Sequence, residues 1–251
     1  MKHITLAYLT FIHGLLILTS IHCCLIRDQL GPDAFLNGHD YYMTAQEQYF
    51  TARSKTLNKE DGLVFIGDSI VNGLCVESVF NAVNFGISGY TVRQAKNQVD
   101  KYINLESKTI ILALGINDVP CETKKFETNY TSLIEHLPKS AFVIISSILP
   151  IDDLVFTSQG SESRNNININ KLNASLKEIA KSYDNVAYID SGQYLKSKSG
   201  SLNPSLHGGD GLHPNRKGYR IWIVGLQEEF AKLVEQGKGG NALQKASKAR
   251  G

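Results

Sequence analysis

Four short segments of this chain hold the residue types that acyl transfer needs. The first, Val64-Phe65-Ile66-Gly67-Asp68-Ser69, ends an apolar run on a serine. A serine placed where a strand gives way to a helix presents its hydroxyl at the carboxyl edge of a sheet and keeps its backbone N–H free, which is a nucleophile's position. Asn84-Phe85-Gly86-Ile87-Ser88-Gly89-Tyr90-Thr91 puts glycines where backbone can come close to a ligand. Leu114-Gly115-Ile116-Asn117-Asp118 ends a further run on a side-chain amide donor. Asp210-Gly211-Leu212-His213 sets a carboxylate three residues from an imidazole, so Asp210 can take one ring nitrogen while the other faces outward. Each segment alone is ordinary, since Asp and Ser are common helix caps and Asp-x-x-His is usually a surface loop. Together they supply a nucleophile, a base, an orienter for the base and donors for an oxyanion.

These residues need a scaffold that brings distant loops to one edge. Short β-branched and apolar runs occur at Leu63 to Ile66, Ala82 to Phe85, Thr109 to Leu114, Phe142 to Ile148 and Val186 to Ile189. Helical periodicity fills the intervals, at Thr91 to Tyr102, Lys124 to Leu137, Ile169 to Tyr183 and Lys217 to Val234. Continuous apolar strands alternating with helices predict an α/β domain, a parallel sheet covered on both faces in three layers. In such sheets ligands bind beyond the carboxyl ends of the strands, where the four segments fall. A helix over about Tyr41 to Lys55 is expected to pack outside, and Pro150 to Asn168 reads as a long polar loop of the kind that borders sites.

Composition narrows the function. The chain has 251 residues and a formal net charge of +2, with 42% hydrophobic residues. That content supports a core, and the near balance of charge gives no field that would draw the protein onto nucleic acid, so no nucleic-acid partner is expected. The histidines and cysteines show no His-Glu-x-x-His or Cys-x-x-Cys spacing, and no phosphate-binding glycine loop follows the first strand. Neither a metal nor a cofactor is therefore expected. No Gly-x-Ser-x-Gly elbow occurs either, which argues against the α/β-hydrolase route to a serine nucleophile.

The ends differ from the middle. Residues 1–24 combine Lys2 with an uncharged apolar run from Ile4 to Ile21, which reads as a signal peptide or an N-terminal membrane anchor. The body is then expected outside the cytoplasm: secreted, periplasmic or anchored, with membrane association through that segment. Residues 40–236 read as one domain, and 237–251, basic and glycine-flanked, as a flexible tail. Cys75 and Cys121 either pair or act as small buried hydrophobes, and sequons occur at Asn129 and Asn173.

The four segments resemble, in order and strand context, the four blocks of the SGNH, or GDSL-like, hydrolases. The likeness spans roughly residues 60 to 225, with Ile70 where the family commonly has leucine, a variant met in relatives resembling platelet-activating-factor acetylhydrolase and carbohydrate acetylesterases. It implies a flavodoxin-like αβα sandwich around a mainly five-stranded parallel sheet. It also implies roles: Ser69 as nucleophile, His213 as base and then acid, Asp210 as the residue fixing the imidazole, and an oxyanion hole from the N–H groups of Ser69 and Gly89 with the amide of Asn117. Asp68, Gly67 and Asp118 are expected to shape turns, and His207 to be a loop histidine. The implied activity is that of a serine esterase or acylhydrolase removing short acyl groups, acetyl foremost, from a carbohydrate or lipid through an acyl-enzyme. The alternatives are a lysophospholipase or thioesterase for longer chains and a non-catalytic glycan- or lipid-binding module. Because only a neutral imidazole takes the serine proton, activity is expected to rise with pH.

Overall fold

The computed structural model describes residues 62–98, 105–106, 108–157 and 164–249, with helical positions at 45, 46, 48 and 52. The chain divides into two compact units, Met1–Tyr49 and Phe50–Gly251. The expected signal or anchor segment lies outside the described residues, as does most of the helix expected at 41–55. No helix among the described residues is long and apolar enough to cross a membrane.

The second unit is built on five parallel strands: β1 (Leu63–Gly67), β2 (Ala82–Gly86), β3 (Thr109–Ala113), β4 (Phe142–Ser146) and β5 (Val186–Ile189), in the order β2-β1-β3-β4-β5. β1 is buried along its whole length, as the unbroken apolar run required. Its registers pair Gly67 with Gly86 on one side and with Ala113 on the other, so three strands end at one level. The chain reverses its winding between β1 and β3, and the crevice at this switch point is where such sheets bind ligands.

Helices flank the sheet. A short α1 (Ser69–Asn72) and α2 (Val76–Phe80) connect β1 to β2, and α3 (Val92–Gln98) leads from β2 toward β3. β3 is followed by α4 (Thr123–His136), which packs on α3. After β4 come α5 (Asp153–Thr157) and α6 (Asn166–Lys181), the latter against α4 and β5. α7 (Arg216–Glu235) closes the domain and carries α8 (Asn241–Ala246). Phe65 of β1 stacks on Phe80 of α2 at 5.5 Å, and Phe80 meets Phe230 of α7 edge-on at 5.8 Å. The fold is thus the three-layer α/β sandwich expected, with strand and helix limits moved by a few residues.

Three expectations need correction. Pro150 to Asn168 is not loop throughout: Asp153 opens α5, and α6 starts at Asn166, capped by Asn165 accepting from the Asn168 N–H. The tail is not simply flexible, because Asn241–Ala246 is helical and buries Leu243 and Ala246 against its neighbours. Cys75 and Cys121 are both free and exposed, so they neither pair nor fill the core. Asn173, in a sequon, has its amide spent: Oδ1 accepts from the Ile148 N–H at 2.8 Å and Nδ2 donates to the Ile148 carbonyl at 3.0 Å.

Candidate active site

The turn that carries Ser69 is shaped first by close packing. Asn84, buried in β2, donates through Nδ2 to the carbonyls of Val71 and Leu74, both at 2.8 Å, and its Oδ1 accepts from the Gly86 N–H. A Cβ at Gly86 would stand 2.3 Å from the Asn72 nitrogen, so only glycine lets β2 approach the turn this closely. From the other side Tyr219 of α7 donates its hydroxyl to the Ile70 carbonyl at 2.9 Å. Asp68 caps α1, accepting from the Ile70 N–H at 2.9 Å. The cap leaves Ser69 half-buried at the head of the helix, and its backbone N–H has no acceptor among the described residues.

The histidine expected to act as base comes from a loop 144 positions later. His213 Nε2 lies 2.9 Å from Ser69 Oγ, and His213 Nδ1 lies 2.5 Å from Asp210 Oδ2. The other Asp210 oxygen accepts from the backbone N–H groups of Leu212 and His213, which fixes the carboxylate plane. Burial opposes the charge on Asp210, but the bonds from the His213 ring and from those two N–H groups outweigh it and hold the carboxyl below its usual range. An ionised Asp210 accepts the Nδ1 proton, so the Nε2 lone pair faces the serine hydroxyl.

The third edge comes from β3 and the loop after β2. Asn117 donates through Nδ2 to the Tyr90 carbonyl at 3.0 Å, which fixes the amide and leaves its second hydrogen unspent by that bond. Gly89, one residue before Tyr90, adopts φ +76° and is exposed, with nothing within 4 Å of where a Cβ would sit. Its N–H has no acceptor among the described residues. Tyr90 itself is fully buried, so it belongs to the core and does not line the site.

Beneath these groups lie two buried carboxyls. Burial pushes Asp68 up to about 7; the Ile70 N–H, His213 and Arg164 pull it down, and Asp118 adds to the rise. Asp118, accepting from the Val92 N–H at 3.0 Å, is pushed up to about 6, again by burial first. Both therefore shape turns, as expected. Arg164 stands over the Phe156 ring at 5.5 Å, and burial lowers its pKa against the pull of these two acids.

Comparison with known proteins fits this geometry. The model of the GDSL-like Lipase/Acylhydrolase family matches residues 65–221, more than half the chain and all four segments. The chain belongs to the GDSL-like lipase/acylhydrolase family. No curated protein sequence matches it. Among solved structures, it is similar to a Streptococcus pneumoniae protein named for platelet activating factor, at TM-score 0.69 and 22% identity over 79% of this chain and 98% of that one. A GDSL-like lipase from Bacteroides thetaiotaomicron gives 0.58 and 21%, over 76% and 98%. The catalytic domain of the Streptococcus pneumoniae peptidoglycan O-acetyltransferase A gives 0.52 and 20%, over 70% and 95%. At these identities the likeness carries the fold.

Of the residues singled out from sequence, Ser69, His213 and Asp210 are joined by hydrogen bonds, and Asn117 is bonded to the residue after Gly89. Sequence reasoning missed the supports: Asn84, Tyr219, Arg164 and the buried pair Asp152 and His207. Tyr219 and Ile70 are 149 positions apart, and no local pattern marks such a bond.

Proposed function

We propose that this GDSL-like acylhydrolase is a serine esterase that removes short acyl groups, acetyl foremost, from a carbohydrate or lipid. The observation that carries the reading is the hydrogen-bonded series Ser69 Oγ, His213 Nε2, His213 Nδ1, Asp210 Oδ2. Ser69 attacks the ester carbonyl while its proton passes to His213 Nε2, and the N–H groups of Ser69 and Gly89 and the Asn117 amide take the oxyanion. His213 returns the proton to the departing alcohol, leaving an acyl-serine. Water then attacks the acyl carbon as its proton passes to His213, and His213 returns that proton to Ser69 Oγ as the acid departs.

One feature favours a bulky alcohol: the side chains of His213 and Asp210 are 43% and 41% exposed, so a large alcohol can stand over them. Residues 1–24 would carry the enzyme out of the cytoplasm or hold it at a membrane.

A second reading, action on longer acyl chains, draws on Leu154 and Ile167, which are 86% and 80% exposed. They sit on segments tied together by Asp153 and Asn166. The test is a rate series on the full chain with p-nitrophenyl esters from acetyl to palmitoyl, beside Ser69→Ala. Turnover should fall with chain length and drop by about four to six powers of ten in the variant. Turnover rising with length would replace this reading by the second, and none at all would point to a binding module.

A further inference from the structure

His207 was expected to be an ordinary loop histidine, yet it is buried, and its surroundings dictate its protonation. The side chains of His207 and Asp152 are only 6% and 7% exposed. Nδ1 of His207 receives the N–H of Gly209 at 3.0 Å and that of Gly211 at 3.2 Å. A backbone N–H only donates, so Nδ1 carries the lone pair and the ring proton sits on Nε2. That proton points at Asp152 Oδ2, 3.3 Å away. Asp152 Oδ1 meanwhile accepts from the N–H groups of Leu154 and Val155 in the first turn of α5.

The two N–H groups gathered by His207 bracket Asp210. Gly209 and Gly211 both hold positive φ, 106° and 74°, and this backbone turns their N–H groups toward one ring nitrogen. The same turn is tied by the Gly208 N–H to the His213 carbonyl at 2.9 Å and by the Asp152 N–H to the Gly211 carbonyl at 2.8 Å. A Cβ on Gly211 would stand 3.0 Å from the Asp152 carbonyl oxygen, so the two loops are in direct contact. The Asn215 amide, at the head of α7, holds the His207 carbonyl at 3.0 Å.

We propose that His207, as its neutral Nε2–H tautomer clamped by Asp152, is a positioning residue that sets the Asp210–His213 turn. The proposal rests on the reading of Asp210 and His213 as the orienter and base. His207 touches neither Ser69 nor any reacting atom in this account. It acts by supplying one acceptor to the N–H of Gly209 and to that of the buried Gly211, which would otherwise lack a partner. Without that acceptor the turn rotates to find another, and Asp210 moves with it.

Two substitutions in the full chain separate the role from simple packing. In His207→Asn, Oδ1 takes the place of Nδ1 and still receives both glycine N–H groups. In His207→Gln, the amide nitrogen takes the place of Nε2 and faces Asp152, and the acceptor at Nδ1 is gone. With p-nitrophenyl acetate, His207→Asn should keep kcat within about threefold of the parent, whereas His207→Gln should lose about tenfold or more in kcat with KM nearly unchanged. The downfield proton resonance of His213 Nδ1–H, read without substrate, should stay in place in His207→Asn and shift or broaden in His207→Gln. Equal losses in both variants, or parental kcat and an unmoved proton in His207→Gln, would overturn the proposal. Should the parent turn over no ester, the proposed activity fails while the proton resonance still decides the positioning role.

Discussion

The two halves of the proposed catalytic centre are held by different means. Ser69 sits at the end of β1, a strand between two partners, with Gly86 of β2 pressed against the turn and Asn84 and Tyr219 bonded to its backbone. The Asp210–His213 turn has no strand beneath it. It hangs from hydrogen bonds to His207, Asp152 and its own backbone. The proposed nucleophile is thus fixed by sheet packing, which resists small changes, and the proposed base by a few directional bonds, each of which can be removed singly. A scaffold that anchors one partner rigidly can leave the other on a loop whose shape admits varied substrates.

This contrast can be sharpened from the sheet side. Asn117→Ala deletes a donor without disturbing the strand, and kcat for p-nitrophenyl acetate should fall about 100- to 1000-fold, with the melting temperature lowered by only a few degrees for the lost bond to the Tyr90 carbonyl. A loss below about tenfold would leave the oxyanion to the two backbone N–H groups alone. Gly86→Ala drives a Cβ against the Asn72 backbone, and urea denaturation should show about 1–3 kcal/mol less stability. Stability equal to the parent's would mean that the nucleophile turn is not set by close approach.

The smallest effect concerns Asp68. Its pKa in the fold, about 7, lies above the ordinary 3.8, so between those values the native state binds a proton that the unfolded chain has released. Stability from this site is therefore lost as pH rises from about 4 to 7. Asp68→Asn keeps the cap to the Ile70 N–H and removes the ionisation, so the variant should melt several degrees above the parent at pH 8 and close to it at pH 4. Melting curves displaced equally at both pH values would show that burial of the charge is not the cause.

The sequence by itself determined the alternation of strands and helices, because periodicity and side-chain branching act within a few residues. It also determined the residues at the strands' carboxyl ends, and the Asp210–His213 pairing, whose partners are three positions apart. Tertiary structure alone decided that β1 lies between β2 and β3, which brings Gly89, Ser69 and Asn117 to adjacent positions. It decided that Ser69 meets His213 across 144 residues. It buried His207 and Asp152 in the same contact, where a lone histidine in a glycine-rich segment gave no sign of it. The C-terminal helix belongs to this second group: six residues are too few to hold a helix in water, and burial of Leu243 against the domain supplies what the local sequence lacks. Short-range forces are written into neighbouring residues, whereas a contact between distant loops exists only once the core has fixed where each begins.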